Sequence, residues 1–199
     1  MNEKQSLDSE YFKKVYEANE DPWNFEKSEY EAKKYAATIA ALPKKHYENV
    51  LEIGCSIGVL TQLLAEKSIQ LLATDVSQKA LDMAQKRCEN LKNVSFEKMS
   101  FPQELPEDQY DLIMISEVAY YLSPEDWQSA IGILFDKLKS KGNIVLVHWL
   151  PEVHDYPQTG DEVHDTFEEL MRDRMKNVFS DRAETYRIDV WARSQPENS

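Results

Sequence analysis

The chain has 199 residues, 36 acidic against 23 basic, and a net charge of −13. That length suits one domain, 1–199, with a sizeable core, and the charge points away from a nucleic-acid backbone or an anionic membrane as partner. No run approaches the roughly eighteen apolar residues of a transmembrane helix, no apolar signal core follows Met1, and Cys55 and Cys88 make no disulfide framework, so a cytoplasmic protein is expected.

In chain order, residues 6–19 read as a polar helix with Tyr11, Phe12, Val15 and Tyr16 on one side. The loop Asn19–Phe25 follows, then a helix over 28–42 closed by Pro43. Strands and helices alternate after that: strand 49–53, helix 58–67, strand 70–74, helix 77–89, strand 94–98, a Pro-containing loop and strand 110–116. Ser123-Pro124-Glu125-Asp126 opens the next helix with an N-cap, a first-turn proline and two acids. Lys141-Gly142-Asn143 turns into strand 144–149. A helix over 160–176 and an alternating strand over 186–191 complete the chain. The alternation predicts an α/β fold, a doubly wound and mostly parallel sheet. The last strand alternates apolar and polar residues, which fits an antiparallel insertion near one edge. Residues 1–43 precede the first strand and are expected to form a helical lid over a core of 44–199.

The richest stretch is Val50-Leu51-Glu52-Ile53-Gly54-Cys55-Ser56-Ile57-Gly58, followed by a second apolar run ending in Asp75. This is how a first βαβ unit cradles a nucleoside at the carboxyl ends of its strands. Gly54 and Gly58 let the backbone approach, and Asp75 is placed to accept hydrogen bonds from a ribose diol. A dinucleotide fingerprint would want glycines at 56 and 59, where Ser56 and Val59 stand, and a P-loop would need Gly-Lys-Ser/Thr. The same residues also read as G-x-S-x-G, a hydrolase nucleophile elbow with Ser56 as nucleophile. That reading lacks a His-Gly-Gly segment and leaves Glu52 and Asp75 without a role.

Glu117 directly follows the fourth strand, whose end should face a ligand crevice; its alternative is a solvated strand end. Of Tyr120 and Tyr121, one is expected in the core and one in a pocket. Trp23, on the rigid Asp21-Pro22 turn, is either a ligand contact or a packing anchor. His148 ends the fifth strand. His148, His154 and His164 have no recognised metal-ligand spacing, and no metal is expected. Met99, Ser100 and Phe101 follow the third strand and would cover an adenine ring or pack in the core.

Asp21-Pro22-Trp23 with Tyr30-Glu31, Leu51–Cys55 and Glu117-Val118-Ala119-Tyr120-Tyr121-Leu122 together resemble, in order and spacing, the rhizobial nodulation N-methyltransferases, a NodS-like family of class I methyltransferases. The resemblance covers roughly residues 10 to 150. It implies a seven-stranded sheet of order 3-2-1-4-5-7-6 and S-adenosyl-L-methionine as cofactor, leaving as S-adenosyl-L-homocysteine. It implies methylation of a small-molecule amine such as a deacetylated amino sugar of an oligosaccharide. Glu52, Gly54, Cys55 and Gly58 would form the methionine-side turn, Asp75 and Val76 would meet the ribose, and Glu117 would lie beside the methionine moiety. Trp23 and Tyr11 would close over the cofactor, and Tyr30, Tyr120, Tyr121 and His148 would enclose the acceptor. Glu117, His148 and Tyr120 are the candidates to orient or deprotonate it. Ser100 stands where the family usually has an Asp, and Ser56 where it has Ala or Gly. A monomer or dimer is expected; competing readings are an O- or N-methyltransferase of another small metabolite and a cofactor-binding protein without turnover.

Overall fold

The structure, a computed structural model, describes residues 5–194, so the outermost ends of the expected 1–199 domain lie outside it. Seven strands form one mixed sheet in the order β3-β2-β1-β4-β5-β7-β6. The described residues pack as two compact units: Leu7–Pro106, and residues 107–194 together with residues 5–6.

The first unit opens with helices α1 (Ser9–Ala18) and α2 (Glu29–Ala40), each started by a side chain that satisfies a free backbone N–H. Asp8 accepts from Tyr11 N, and Ser28 from Glu31 N. Between them the Asp21 carboxylate accepts from Phe25 N at 2.7 Å and Glu26 N at 3.0 Å, which pins the Trp23 turn. Strands β1 (Tyr47–Ile53), β2 (Ser68–Asp75) and β3 (Val94–Lys98) are parallel neighbours. Helices α3 (Val59–Ala65) and α4 (Gln78–Arg87) connect them. Cys55, Ala73, Leu81 and Ala84 form one core cluster against Val94 and Phe96.

In the second unit β4 (Tyr110–Ser116) runs parallel to β5 (Leu138–Trp149), and β7 (Tyr186–Arg193) runs antiparallel to both β5 and β6 (Met175–Arg182). Ser123 caps α5 (Pro124–Lys137) by accepting from Asp126 N, and Ser6 joins that cap by accepting from Ser123 N at 2.8 Å. A Thr159–Glu162 capping box starts α6 (Gly160–Met171). Trp127 is fully buried and donates its indole N–H to Val163 O at 3.0 Å.

Two expectations need correction. The helix expected over 160–176 stops at Met171, and Met175–Arg182 is an edge strand that the residue pattern did not suggest. Its mostly exposed side chains give it no apolar alternation. The fifth strand starts at Leu138 rather than at 144, with Lys141-Gly142-Asn143 inside it. The last strand does lie antiparallel near one edge, and its Asp189 is fully buried against His164 of α6.

Candidate functional site

The first unit gathers the acid–glycine turn. Gly54 N and Cys55 N both donate to Thr74 O, at 2.8 and 2.9 Å, which staples the turn to the end of β2. Gly54 and Gly58 have φ of 77° and 81°, a region that L side chains enter at a cost. A Cβ on Gly58 would also lie 3.0 Å from Cα and Cβ of Ala84. Ser56 takes φ 50° without being glycine. It is held by two bonds: its N–H donates to Asp75 Oδ2 at 2.9 Å, and its hydroxyl pairs with that of Tyr16 at 2.6 Å. Asp75 Oδ1 accepts from Ser77 N at 2.8 Å.

Both acids of this turn are buried. Burial pushes the Glu52 carboxyl up to about 7, against the donated Thr61 hydroxyl at 2.7 Å. Burial also raises Asp75 to about 6, with the backbone N–H groups of Ser77, Ser56 and Val76 pulling the other way. Two carboxyls poised near neutrality at the ends of adjacent parallel strands suit a ligand that brings a positive charge and hydroxyl donors. S-adenosylmethionine brings both, so the residues fit it. Glu52 and the 54–58 turn would hold its methionine end, and Asp75 its ribose.

Tyr16 and Ser56 carry this turn, and sequence reasoning passed over their pairing. Burial raises the Tyr16 phenol well above its ordinary value, so it stays protonated and offers Ser56 no base. That arrangement opposes the nucleophile-elbow reading. Trp23 packs edge-on to Tyr16 at 5.7 Å and stacks with Phe25 at 5.6 Å. Tyr11 lies edge-on to Phe12 at 5.2 Å, and Tyr30 lies under the Lys34 ammonium at 5.4 Å. Met99 is buried, with its N–H on Asp75 O at 3.0 Å. Ser100 and Phe101 are half-buried, and Ser100 N donates to Glu104 at 2.8 Å.

The second unit gathers Glu117, Tyr120, Tyr121 and His148. Glu117 takes φ 58°. Its N–H donates to Val147 O at 2.8 Å, and its Oε2 accepts from Tyr120 Oη at 2.6 Å and from Trp149 N at 2.9 Å. Burial lifts the Tyr120 phenol well above its usual value, and the Glu117 carboxylate adds to this. Tyr120 therefore acts as a neutral donor. Tyr121 lies edge-on to Tyr120 at 4.7 Å, and Tyr156, which sequence reasoning missed, stacks on Tyr120 at 5.0 Å. His148 is fully buried. Its Nε2 accepts from Ala119 N at 3.2 Å, and its Nδ1 lies 3.0 Å from His164 Nε2. His154 is exposed beside Asp155.

The sheet order, with its antiparallel β7 and the acid–glycine turn after β1, defines a Rossmann-like methyltransferase fold. The profile of the nodulation protein S (NodS) family matches residues 6–154, and the chain belongs to that family. A nodulation protein S of Rhizobium tropici is 31% identical over 130 residues, covering 64% of this chain and 55% of that protein. The chain thus spans about half the length of that curated relative. Phosphoethanolamine N-methyltransferase 1 of Caenorhabditis elegans is 30% identical over 148 residues, covering 72% of this chain and 30% of that protein. The crystal structure of N-methyltransferase NodS from Bradyrhizobium japonicum WM9, in complex with S-adenosyl-L-homocysteine, shares the fold. Its TM-score is 0.82 at 20% identity, over 95% of this chain and 100% of that one.

Proposed function

We propose that this protein is an S-adenosylmethionine-dependent methyltransferase that methylates an amine of a small molecule, in the class of a deacetylated amino-sugar oligosaccharide. The observation that carries the reading is the buried pair Glu52 and Asp75 around the Gly54–Gly58 turn. The relatives support the amine: both named N-methyltransferases, from Bradyrhizobium and from Caenorhabditis, transfer to nitrogen. When bound, the cofactor supplies a methyl group already activated by its sulfonium.

The chain's own residues have a narrower task. Asp75 binds hydroxyls, Glu52 faces a cationic end, and Gly54 and Gly58 allow close approach. Glu117, fixed by Tyr120 and Trp149, presents a carboxylate that attracts and orients an amine. The amine must lose its proton before its lone pair can form the new N–C bond. Orientation of this kind is worth on the order of 7–11 kcal/mol in the best cases. We place the protein in the cytoplasm; among the described residues no helix is long and apolar enough to cross a membrane.

The test is incubation with a panel of amines, amino sugars, phenols and carboxylates, read as the mass gain of one methylene. Methylation of a chitin-like oligosaccharide carrying one free amine, but not of its acetylated form, is expected. Activity on phenols or carboxylates alone would overturn the amine reading. Turnover should rise with pH through the pKa of the bound amine. If Glu117 acts only as a charge, Glu117→Gln should shift that rise to lower pH. If Glu117 orients or deprotonates the amine, the variant should lose turnover at every pH.

A further inference from the structure

We infer that His148 is a positioning residue and not a base: with His164 and Asp189 it forms a buried relay of fixed direction that locks the Glu117–Tyr120 corner. The inference rests on the reading above, in which that corner receives the acceptor.

The three side chains come from β5, α6 and β7, and all are fully buried. One end of the relay is the Ala119 amide, which can only donate. The other is the Asp189 carboxylate, which in its ionised form can only accept. His148 Nε2, 3.2 Å from Ala119 N, must therefore be an acceptor, so the His148 proton sits on Nδ1. That proton points to His164 Nε2 at 3.0 Å, which must also accept, so the His164 proton sits on Nδ1 and points to Asp189 Oδ2 at 2.7 Å. A second proton on either ring would set one N–H against another. Both ring nitrogens of His148 are thus committed: Nδ1 carries the proton, and the one lone pair, on Nε2, is taken by the Ala119 amide and is not open to an incoming amine.

The surrounding groups hold this state. Asp189 also accepts from Arg187 Nε at 2.8 Å and from Ser180 Oγ at 2.5 Å. Arg187 in turn meets Asp165 at 2.7 Å and Asp161 at 3.5 Å. Burial pushes Asp189 up, but the hydrogen bond from His164, the Ser180 hydroxyl and the Arg187 guanidinium outweigh it and leave the carboxyl below its usual range. Burial lowers His164 more than Asp189 raises it, which favours the neutral ring.

The relay ends on a backbone that needs support. Glu117 sits at φ 58°, a region that a non-glycine residue keeps only where its surroundings fix it. Three consecutive residues of β5 hold the corner. Val147 O takes the Glu117 N–H, His148 takes the Ala119 N–H, and Trp149 N donates to the Glu117 carboxylate. The His148 ring also meets Tyr120 edge-on at 5.2 Å. A flipped tautomer would turn an N–H toward Ala119 and push the corner away.

The test compares two substitutions. His148→Gln keeps a carbonyl acceptor where Nε2 stood but has no basic nitrogen; His148→Leu has neither. Expected turnover is within about tenfold of wild type for His148→Gln, and a loss of about 100-fold in kcat for His148→Leu, the scale of a misplaced reacting group. S-adenosylhomocysteine affinity should hold in both. Equal collapse of both variants would mean a base, and near-normal turnover of both would mean no role; either overturns the inference. Nitrogen-15 NMR of histidine-labelled wild type gives a readout independent of folding of the variants and of activity. His148 and His164 should both appear as neutral Nδ1–H tautomers at pH 7, and an Nε2–H tautomer or an imidazolium at His148 would sink the relay. If the wild type methylates no amine, the proposed function fails, while the tautomer spectrum still decides the relay.

Discussion

At the scale of single residues, folding and cofactor binding make opposite demands on one buried acid of the first turn, Glu52. Glu52 rises from 4.5 to about 7 on folding, so its protonated form is the one the fold prefers. The stability it contributes is complete below pH 4.5 and is lost as pH rises through about 7. Glu52→Gln removes that loss, so the melting temperature of the variant minus that of wild type should grow between pH 5 and pH 8. A difference that stays flat would mean that Glu52 ionises freely in the fold. The cofactor makes the reverse demand. A cationic ligand end favours ionised Glu52, so binding should release a proton near pH 6.5, read by calorimetry in buffers of different ionisation heat. Asp75→Ala should weaken S-adenosylhomocysteine binding by roughly 1.5–3 kcal/mol, the range for hydrogen bonds to a charged group. The same substitution also releases Ser56 N and Ser77 N, so the fold of the variant has to be checked by circular dichroism.

At the scale of elements, the turn works because α3 begins on a glycine that packs against α4. Gly58→Ala must adopt φ 81° and press on the Ala84 backbone at 3.0 Å. The left-handed conformation alone costs roughly 1–2 kcal/mol, so the melting temperature should fall by several degrees and cofactor binding should weaken with it. The first helices act on the same turn. We propose that α1 and α2 form a lid over the turn, which α1 reaches through Tyr16, whose main-chain oxygen is also held by Lys79 at 2.8 Å. Tyr16→Phe removes one neutral hydrogen bond, roughly 0.5–1.5 kcal/mol, and should loosen cofactor binding by a few-fold. Trp23 stands against Tyr16, so its emission should change on adding S-adenosylhomocysteine, with Trp23→Phe as the reference. No change, together with full activity of the variant, would leave Trp23 as a packing anchor and remove the lid.

At the scale of the whole molecule, the net charge of −13 bears on arrival rather than on chemistry. A negatively charged protein draws in a protonated amino sugar, and salt screens that attraction over a length of about 10 Å at 0.1 M. KM for a cationic acceptor should therefore rise several-fold between low and moderate salt, with kcat nearly constant. A salt-insensitive KM would mean that the surface charge serves solubility alone.

What could be read along the chain was local. The apolar run into Glu52, the glycines at 54 and 58, and Asp75 closing the next strand lie within one βαβ unit, where period and spacing report directly on neighbours. The Ser123-Pro124 helix start has the same short range. The edge strand Met175–Arg182 escaped because its mostly exposed side chains leave no alternation to find. The burial of Asp189 was not legible either, because its carboxylate meets a histidine that α6 supplies from 25 positions earlier. Tyr16 reaches Ser56 across 40 positions, a contact that no local pattern encodes. The fold class and the family were legible from the residues alone, since both rest on residues close in the chain, and so was the placement of Glu52 and Asp75 beside the glycine turn. Which nitrogen of His148 carries its proton was settled only in three dimensions, because that depends on the Ala119 amide, a histidine of α6 and a carboxylate of β7 meeting the end of β5.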